Sequence, residues 1–204
     1  MGFYERRVLP RLIDVLCGNA RLVPVRRPTV DQLHGAVLEL GFGSGRNVPL
    51  YPASVDLVLA VEPSERGREL AAGRIERSPV PVRFVGLDGL AIDLDDDTAD
   101  CALSTWTLCT IPDPVAALRE VARVVRPGGE LLFLEHGLST DATVAARQHR
   151  WTPLQKRLFG GCHLDRDIGA IVEEAGFEID QLDTFSIEGP KSQSFLYAGR
   201  ATTA

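Results

Sequence analysis

Apolar and polar positions along the chain follow two alternating periods. Short apolar runs give way to stretches where apolar residues recur every three or four positions. The runs predict strands at Ala36–Leu40, Leu57–Glu62, Val82–Val85, Asp100–Ser104 and Glu130–Glu135. Between them, Ser64 is placed to cap a helix that continues to about Arg77, where Ser78 and Pro79 end it. A second helix is predicted from about Pro112 to Val125, and Pro127-Gly128-Gly129 breaks it. A third starts at Asp165 or Asp167 and reaches Ala175, with Gly176 as its stop. Phe177–Phe185 and Ser194–Gly199 read as a closing antiparallel pair. Strand–helix alternation of this kind predicts a doubly wound α/β fold with a seven-stranded, mostly parallel sheet covered on both faces. Residues 1–35 read as an N-terminal helical cap, in which Phe3, Val8, Leu9, Leu12, Ile13 and Leu16 can share one helical face. Residues 36–204 form the main unit, and the whole is expected to be one domain.

Two strand ends carry the candidate chemistry. The first strand runs into Glu39-Leu40-Gly41-Phe42-Gly43-Ser44-Gly45, and the second ends at Glu62. Glycines without Cβ atoms let a backbone turn sharply and touch a ligand, while a carboxylate at the next strand tip can accept two hydrogen bonds from a ribose diol. A dinucleotide loop reads G-x-G-x-x-G, but here Arg46 stands where the third glycine belongs. The string E-x-G-x-G-x-G resembles motif I of the class I S-adenosylmethionine-dependent methyltransferases. That resemblance implies a Rossmann-like methyltransferase fold, with Glu39 helping to fix the ligand's amino group. It places Gly41, Gly43 and Gly45 at the methionine end, and Glu62, with Pro63 beside it, at the ribose. Asn47 and Arg46 lie at the mouth of the loop, within reach of either ligand.

Downstream, Asp88-Gly89 and Ala99-Asp100-Cys101-Ala102-Leu103 are similar to the family's G-D-A…D-x-S-F-D-x-V segment, with Leu87 for the usual glycine and Ala99 for the usual Phe. The likeness implies that Asp88 accepts a hydrogen bond from the adenine amine and that Gly89 and Leu90 line the ring; an ordinary turn aspartate is the plainer alternative. Ser104, at the end of the fourth strand, is expected among the cofactor-binding residues. The string from Leu118 to Gly129 resembles the L-x-E-x-x-R-V-L-K/R-P-G-G segment that enters strand five.

Three further strings, Ser104 to Ile111, Phe133-Leu134-Glu135-His136 and Gly160-Gly161-Cys162-His163-Leu164, resemble the thiol S-methyltransferase branch, whose bacterial relatives include small-molecule and phospholipid methyltransferases. Its implied cofactor is S-adenosylmethionine, its product S-adenosylhomocysteine, and its acceptor a small thiol, amine or lipid headgroup. An activated sulfonium needs mainly a positioned nucleophile and exclusion of water. His136, just after strand five, is the candidate base, or else a histidine that ties down its loop. His149, Trp151, Cys162 and His163 are candidate acceptor residues in segment 137–164, which reads as a lid or as a helix covering the sheet. Trp106 is expected to wall the adenosine or the acceptor. A metal centre is not expected, because only Cys162 and His163 are close in sequence and no C-x-x-C or H-x-x-x-H pair occurs. Cys101 and Cys109 are expected to pack as small hydrophobes.

Composition narrows the classes. A net charge of −6 and a pI near 5.3 argue against a general nucleic-acid binder, as does the lack of N-P-P-Y or D-P-P-Y after strand four. Residues 1–30 hold six arginines against Glu5 and Asp14, so a basic amphipathic segment precedes an acidic remainder. A cap over the cleft is the favoured reading of that segment, with weak membrane-surface contact as the other. Charges at Glu5, Arg6, Arg7, Arg11 and Asp14 break up any signal-peptide core. The four scattered cysteines suit a reducing compartment, and a cytoplasmic location is expected. A nicotinamide-dependent reductase would need Tyr-x-x-x-Lys, yet the residues four beyond Tyr4, Tyr51 and Tyr197 are Val8, Val55 and Ala201. A protein that binds the cofactor as a sensor or scaffold, without transferring a methyl group, is the remaining alternative.

Overall fold

A computed structural model of the chain describes residues 4–203, the side chains of residues 5 and 6 excepted. Seven strands form one sheet: β1 (Gly35–Leu40), β2 (Val55–Val61), β3 (Val82–Gly86), β4 (Ala99–Thr105), β5 (Val125–His136), β6 (Phe177–Ser186) and β7 (Phe195–Thr203). Their order is β3-β2-β1-β4-β5-β7-β6. The first five pair in parallel, while β7 runs antiparallel to both β5 and β6. Strand order reverses beside β1, whose partners are β2 on one side and β4 on the other. At such a switch point the crossovers leave on opposite faces and open a crevice at the carboxyl ends of the strands.

Helices α3 (Glu65–Ile75), α4 (Pro114–Val124), α5 (Ala142–Leu158) and α6 (Ile168–Glu174) connect the strands, and α1 (Leu9–Cys17) and α2 (Val23–Val30) precede them. The start of α3 follows the sequence rule, with Ser64 accepting from Gly67 N at 3.0 Å. Asp113, Asp141 and Asp167 cap α4, α5 and α6 in the same way. Two apolar clusters fill the two faces of the sheet. One joins Leu38, Leu40, Phe133 and Ala201 to Leu118 and Val121 of α4 and to Ile168 and Val172 of α6. The other joins Val37, Val58 and Leu103 to Ala71 of α3, Phe42 and the end of α2.

Three segments depart from the pattern reading. The strand expected from Glu130 starts instead at Val125, because Gly128 adopts φ +72 and a Cβ on Gly129 would lie 2.7 Å from Asp100 O. The glycines let the chain ride against β4 rather than loop away from it. The N-terminal segment holds two α-helices, each with a proline in its first turn, divided at Gly18-Asn19 and a short 3-10 turn at Ala20–Leu22. Of the apolar face expected there, Leu9 is buried, whereas Val8, Ile13 and Leu16 are exposed; Phe3 lies outside the described residues. Segment 137–164 is mainly the helix α5, which leaves Trp151, Leu154 and Leu158 half exposed. No helix among the described residues is long and apolar enough to cross a membrane.

Candidate functional site

A cavity of about 550 Å³ opens over the carboxyl ends of β1, β2 and β4, within the usual range for small-ligand sites. The glycine loop forms its floor. Gly41, Gly43 and Gly45 have φ of +73, +57 and +73, which explains the spacing of the motif by backbone conformation alone. At Gly41 a Cβ would also lie 2.2 Å from Thr107 Oγ1. Gly45 serves differently: it is buried against Val48, Phe42 and Ala71 and holds the loop down from below.

Glu62 stands beside this loop, buried, with both oxygens fixed. Gly43 N donates to Oε2 at 2.6 Å and Ser64 N donates to Oε1 at 2.7 Å. Burial pushes its carboxyl up, and those two backbone bonds pull it back down. A carboxylate carries about four acceptor sites, so two remain for a ligand diol. Arg68 braces the strand ends from outside, donating to Glu62 O at 2.9 Å and Gly86 O at 2.8 Å while stacking on Phe84. Pro63, Asp88, Gly89 and Leu90 line the same end of the cavity. Asp88 is exposed, and its Oδ1 accepts from Leu90 N at 2.9 Å. Leu87 and Leu90 leave apolar surface open there.

A buried polar chain closes the other end. Asn47 Nδ2 donates to Glu39 Oε1 at 2.9 Å and to Thr105 Oγ1 at 3.0 Å, and its Oδ1 accepts from Arg26 at 2.9 Å. The Tyr51 hydroxyl donates to Glu39 Oε2. Arg26 reaches Cys17 O at 3.3 Å and lies 4.3 Å from the centre of the Trp106 ring. Trp106 itself takes a left-handed φ of +51, a strain that tends to persist at functional sites. Burial pushes Glu39 up to about 7, against the pull of its Tyr51 and Asn47 bonds and of the Arg26 charge. Arg26, Asn47 and Trp106 line the cavity; Glu39 stands one layer behind Asn47. Arg26, Tyr51 and Thr105 were not legible as site residues, because Arg26 reads as one of a cluster of N-terminal arginines. Leu9, Pro10, Ile13 and Cys17 complete the wall, and Arg46 ties their helix to the glycine loop through Asp14 Oδ1 at 2.7 Å.

The remaining expected residues lie apart from this cavity. Ser104 is fully buried and donates to Glu135 Oε1 at 2.8 Å. His136 is buried at the end of β5, its Nδ1 3.9 Å from Cys162 Sγ. His149 and His163 both turn to Asp165, at 3.1 and 3.6 Å. Trp151 borders a separate groove with Leu154, Leu158 and Phe159. Of the expected acceptor residues, the structure brings Trp106 alone to the cavity.

A glycine loop after β1, an acid after β2 and a crevice at the switch point define a nucleoside-binding α/β protein. Comparison with known proteins specifies it further. The family described as "Methyltransferase domain" matches residues 38–133. The human thiol S-methyltransferase TMT1B is 31% identical over 188 residues, which cover 85% of this chain and 77% of that protein. Its rat counterpart is 33% identical over 151 residues, covering 72% of this chain; the chain spans 62% of the rat protein's length. The phosphatidylethanolamine N-methyltransferase of Cereibacter sphaeroides is 27% identical over 172 residues, covering 82% and 83% of the two chains. Among solved structures, a SAM-dependent methyltransferase from Thermotoga maritima superposes with a TM-score of 0.70 at 23% identity, covering 98% of each chain. The chain belongs to the class I S-adenosylmethionine-dependent methyltransferases.

Proposed function

We propose that the protein moves the methyl group of S-adenosylmethionine to a small, largely apolar thiol. The observation that carries the cofactor half is Glu62: a buried carboxylate, anchored by two backbone N–H groups, with acceptor capacity left for a ribose diol. Gly41 and Gly43 leave the floor beside it free of side chains, and Asp88 to Leu90 offer a polar and apolar edge for a base. At the far end, Asn47 and Arg26 present polar groups from which a methionine ammonium and carboxylate are held, with Glu39 behind Asn47 as the charge reserve. Bound there, S-adenosylmethionine supplies a methyl group already activated on a sulfonium.

The acceptor half rests on what walls the rest of the cavity. Leu9, Pro10, Ile13, Ile111 and Pro112 make it apolar, and among the described residues no histidine lines it. An amine acceptor, with a pKa near that of lysine at about 10.4, needs a base to lose its proton; a thiol near 8.5 ionises far more readily unaided. A thiol therefore fits this wall better. The name of the thiol S-methyltransferase TMT1B points the same way, and that of the Cereibacter phosphatidylethanolamine N-methyltransferase keeps a lipid headgroup as the comparison substrate. Helix α1 acts as a cap that excludes water, with Leu9, Pro10, Ile13 and Cys17 turned to the cavity.

The test is a panel of thiols, amines, phenols and phosphatidylethanolamine with methyl-labelled cofactor. Label is expected on thiols first. Label on amines or the phospholipid alone overturns the thiol assignment, and binding without transfer to any acceptor points to a sensor.

A further inference from the structure

Three side chains distant in sequence meet behind the cavity wall. Cys109 lies in the loop after β4, His136 ends β5, and Cys162 sits in the turn after α5. Cys109 Sγ and Cys162 Sγ are 3.7 Å apart, and Cys162 Sγ is 3.9 Å from His136 Nδ1. One ligand atom from each residue lies within 4.8 Å of the others. Two thiolates on one tetrahedral ion, with metal–sulfur bonds of about 2.3 Å, stand about 3.8 Å apart; a thiolate and an imidazole nitrogen stand about 3.6 Å apart. The two sulfurs already stand at that spacing and Cys162 with His136 slightly beyond it, while Cys109 and His136, within 4.8 Å, are the pair an ion would have to draw together.

The main chain sets these positions, not the thiols themselves. His163 N donates to Cys109 O at 2.7 Å, binding the two cysteine loops together. Arg166 donates to Ile111 O at 2.7 Å and also to Leu108 O, pinning the loop that carries Cys109. Gly161, at φ +96, lets the Cys162 turn approach so closely that a Cβ would lie 3.2 Å from Thr110 O. Cys109 and His136 are 2% and 4% exposed, and His136 Nε2 is buried without a hydrogen-bond partner. That orphan is the other ring nitrogen from Nδ1, which faces Cys162 Sγ, so it is an unmet polar atom beside the cluster and not the ligand position itself.

We propose that Cys109, His136 and Cys162 bind one thiophilic d10 cation, for which Zn²⁺ is the probe. Two sulfurs and an imidazole nitrogen suit zinc or cuprous ion and not magnesium or calcium. Three protein donors leave a fourth position for water or an exogenous ligand. The sequence concealed the set because its members are 53 and 26 residues apart. The site does not depend on the methyl-transfer reading. Its consequence for the cavity is mechanical: Thr110, next to Cys109, is part of the cavity wall, so an ion here would fix that loop between β5 and the turn after α5.

The experiment is titration of the reduced full-length protein with Zn²⁺ against a chromophoric chelator, with Co²⁺ as a spectroscopic substitute. The wild type is expected to take up one equivalent and to show thiolate-to-cobalt charge transfer. Loss of an outer-shell partner alone costs about 10–100-fold in metal affinity, so Cys109→Ser, Cys162→Ser and His136→Gln should each weaken binding by at least about 100-fold. Cys101→Ala, which removes a thiol from the middle of β4, should leave affinity and spectrum unchanged. Should a ligand variant fail to fold, alkylation of the wild type decides: Zn²⁺ should slow modification of Cys162, the more accessible of the two thiols. Failure to bind Zn²⁺ against the chelator, equal affinity in the Cys109/Cys162 double variant, or equal alkylation with and without Zn²⁺ would each overturn the proposal.

Discussion

The crevice over β1 and β2 and the side-chain clusters at and behind its wall over β4 and β5 are built on opposite plans. Over β1 and β2, groups that face the cavity come from two short contiguous strings, Gly41 to Ser44 and Glu62 to Ser64, and their geometry is set locally by backbone conformation. Over β4 and β5, the groups that meet do so only through tertiary folding: Arg26 of α2 on Trp106, Ser104 on Glu135, Cys109 with His136 and Cys162. A site made of loop dihedrals and strand-end carboxylates can be read from one string of residues. A site made of side chains from four elements cannot.

Substitutions sharpen this contrast, and the largest effect belongs to the local half. Gly41→Val would impose a side chain at φ +73 and drive it into Thr107, which lies 2.2 Å from the nearest Cβ position. Cofactor binding by calorimetry is expected to disappear, with a lowered melting temperature; retained affinity would show that the loop is not the floor. Glu62→Ala is expected to raise the cofactor Kd by about 10–100-fold, since hydrogen bonds to a charged group are worth roughly 1.5–3 kcal/mol. An unchanged Kd would remove Glu62 from the ribose. Arg26→Lys should raise Kd by about 5–10-fold, because an ammonium can neither stack on Trp106 nor reach Asn47 and Cys17 O together. Full affinity in the lysine variant would place Arg26 in the scaffold alone.

A smaller effect concerns pH. Glu39 is surrounded by Tyr51, Asn47, Arg26 and Glu62, and burial holds its proton to about pH 7 in the folded chain, whereas an unfolded glutamate releases it near 4.3. Between those values the folded state binds more protons, so this group makes stability fall as pH rises across that window. The melting temperature of the wild type should therefore drop by a few degrees relative to Glu39→Gln between pH 5 and pH 7. A difference that grows with the opposite sign would contradict the buried-acid description. The smallest effect is expected at Trp151→Ala. Trp151 is half exposed on α5 in the separate groove, and cofactor affinity should stay within about 2-fold; a larger loss would join the two grooves into one site.

Most of the fold was legible in the residues. Apolar runs placed all seven strands to within a few positions, and Ser64 and Gly176 marked a helix start and a helix stop as expected. Within the helical cap expected over residues 1–35, α2 has no separate signature because Pro24 and Pro28 disguise it: the first sits in its opening turn, where a missing N–H costs nothing. Of the residues that line the cavity, Gly41, Gly43 and Glu62 stand out in the sequence because a glycine spacing and a strand-end acid leave a local signature, Asn47 follows from its place at the loop mouth, and Asp88 follows from the family resemblance. Segment 137–164 gave no such signature. His149 and His163 turn to Asp165, a partner no spacing rule points to, and the convergence of Cys109 with Cys162 depends on Arg166 and a single backbone bond between loops.

The central claim is that the floor between β1 and β2 holds a nucleoside with its sugar on Glu62. A crystal structure of the protein grown with S-adenosylhomocysteine tests it directly. The account predicts ligand density over Gly41 and Gly43, both ribose hydroxyls within hydrogen-bond distance of the Glu62 carboxylate, and the amino-acid end beside Asn47 and Arg26. Density elsewhere, or a ribose that leaves Glu62 untouched, would contradict it.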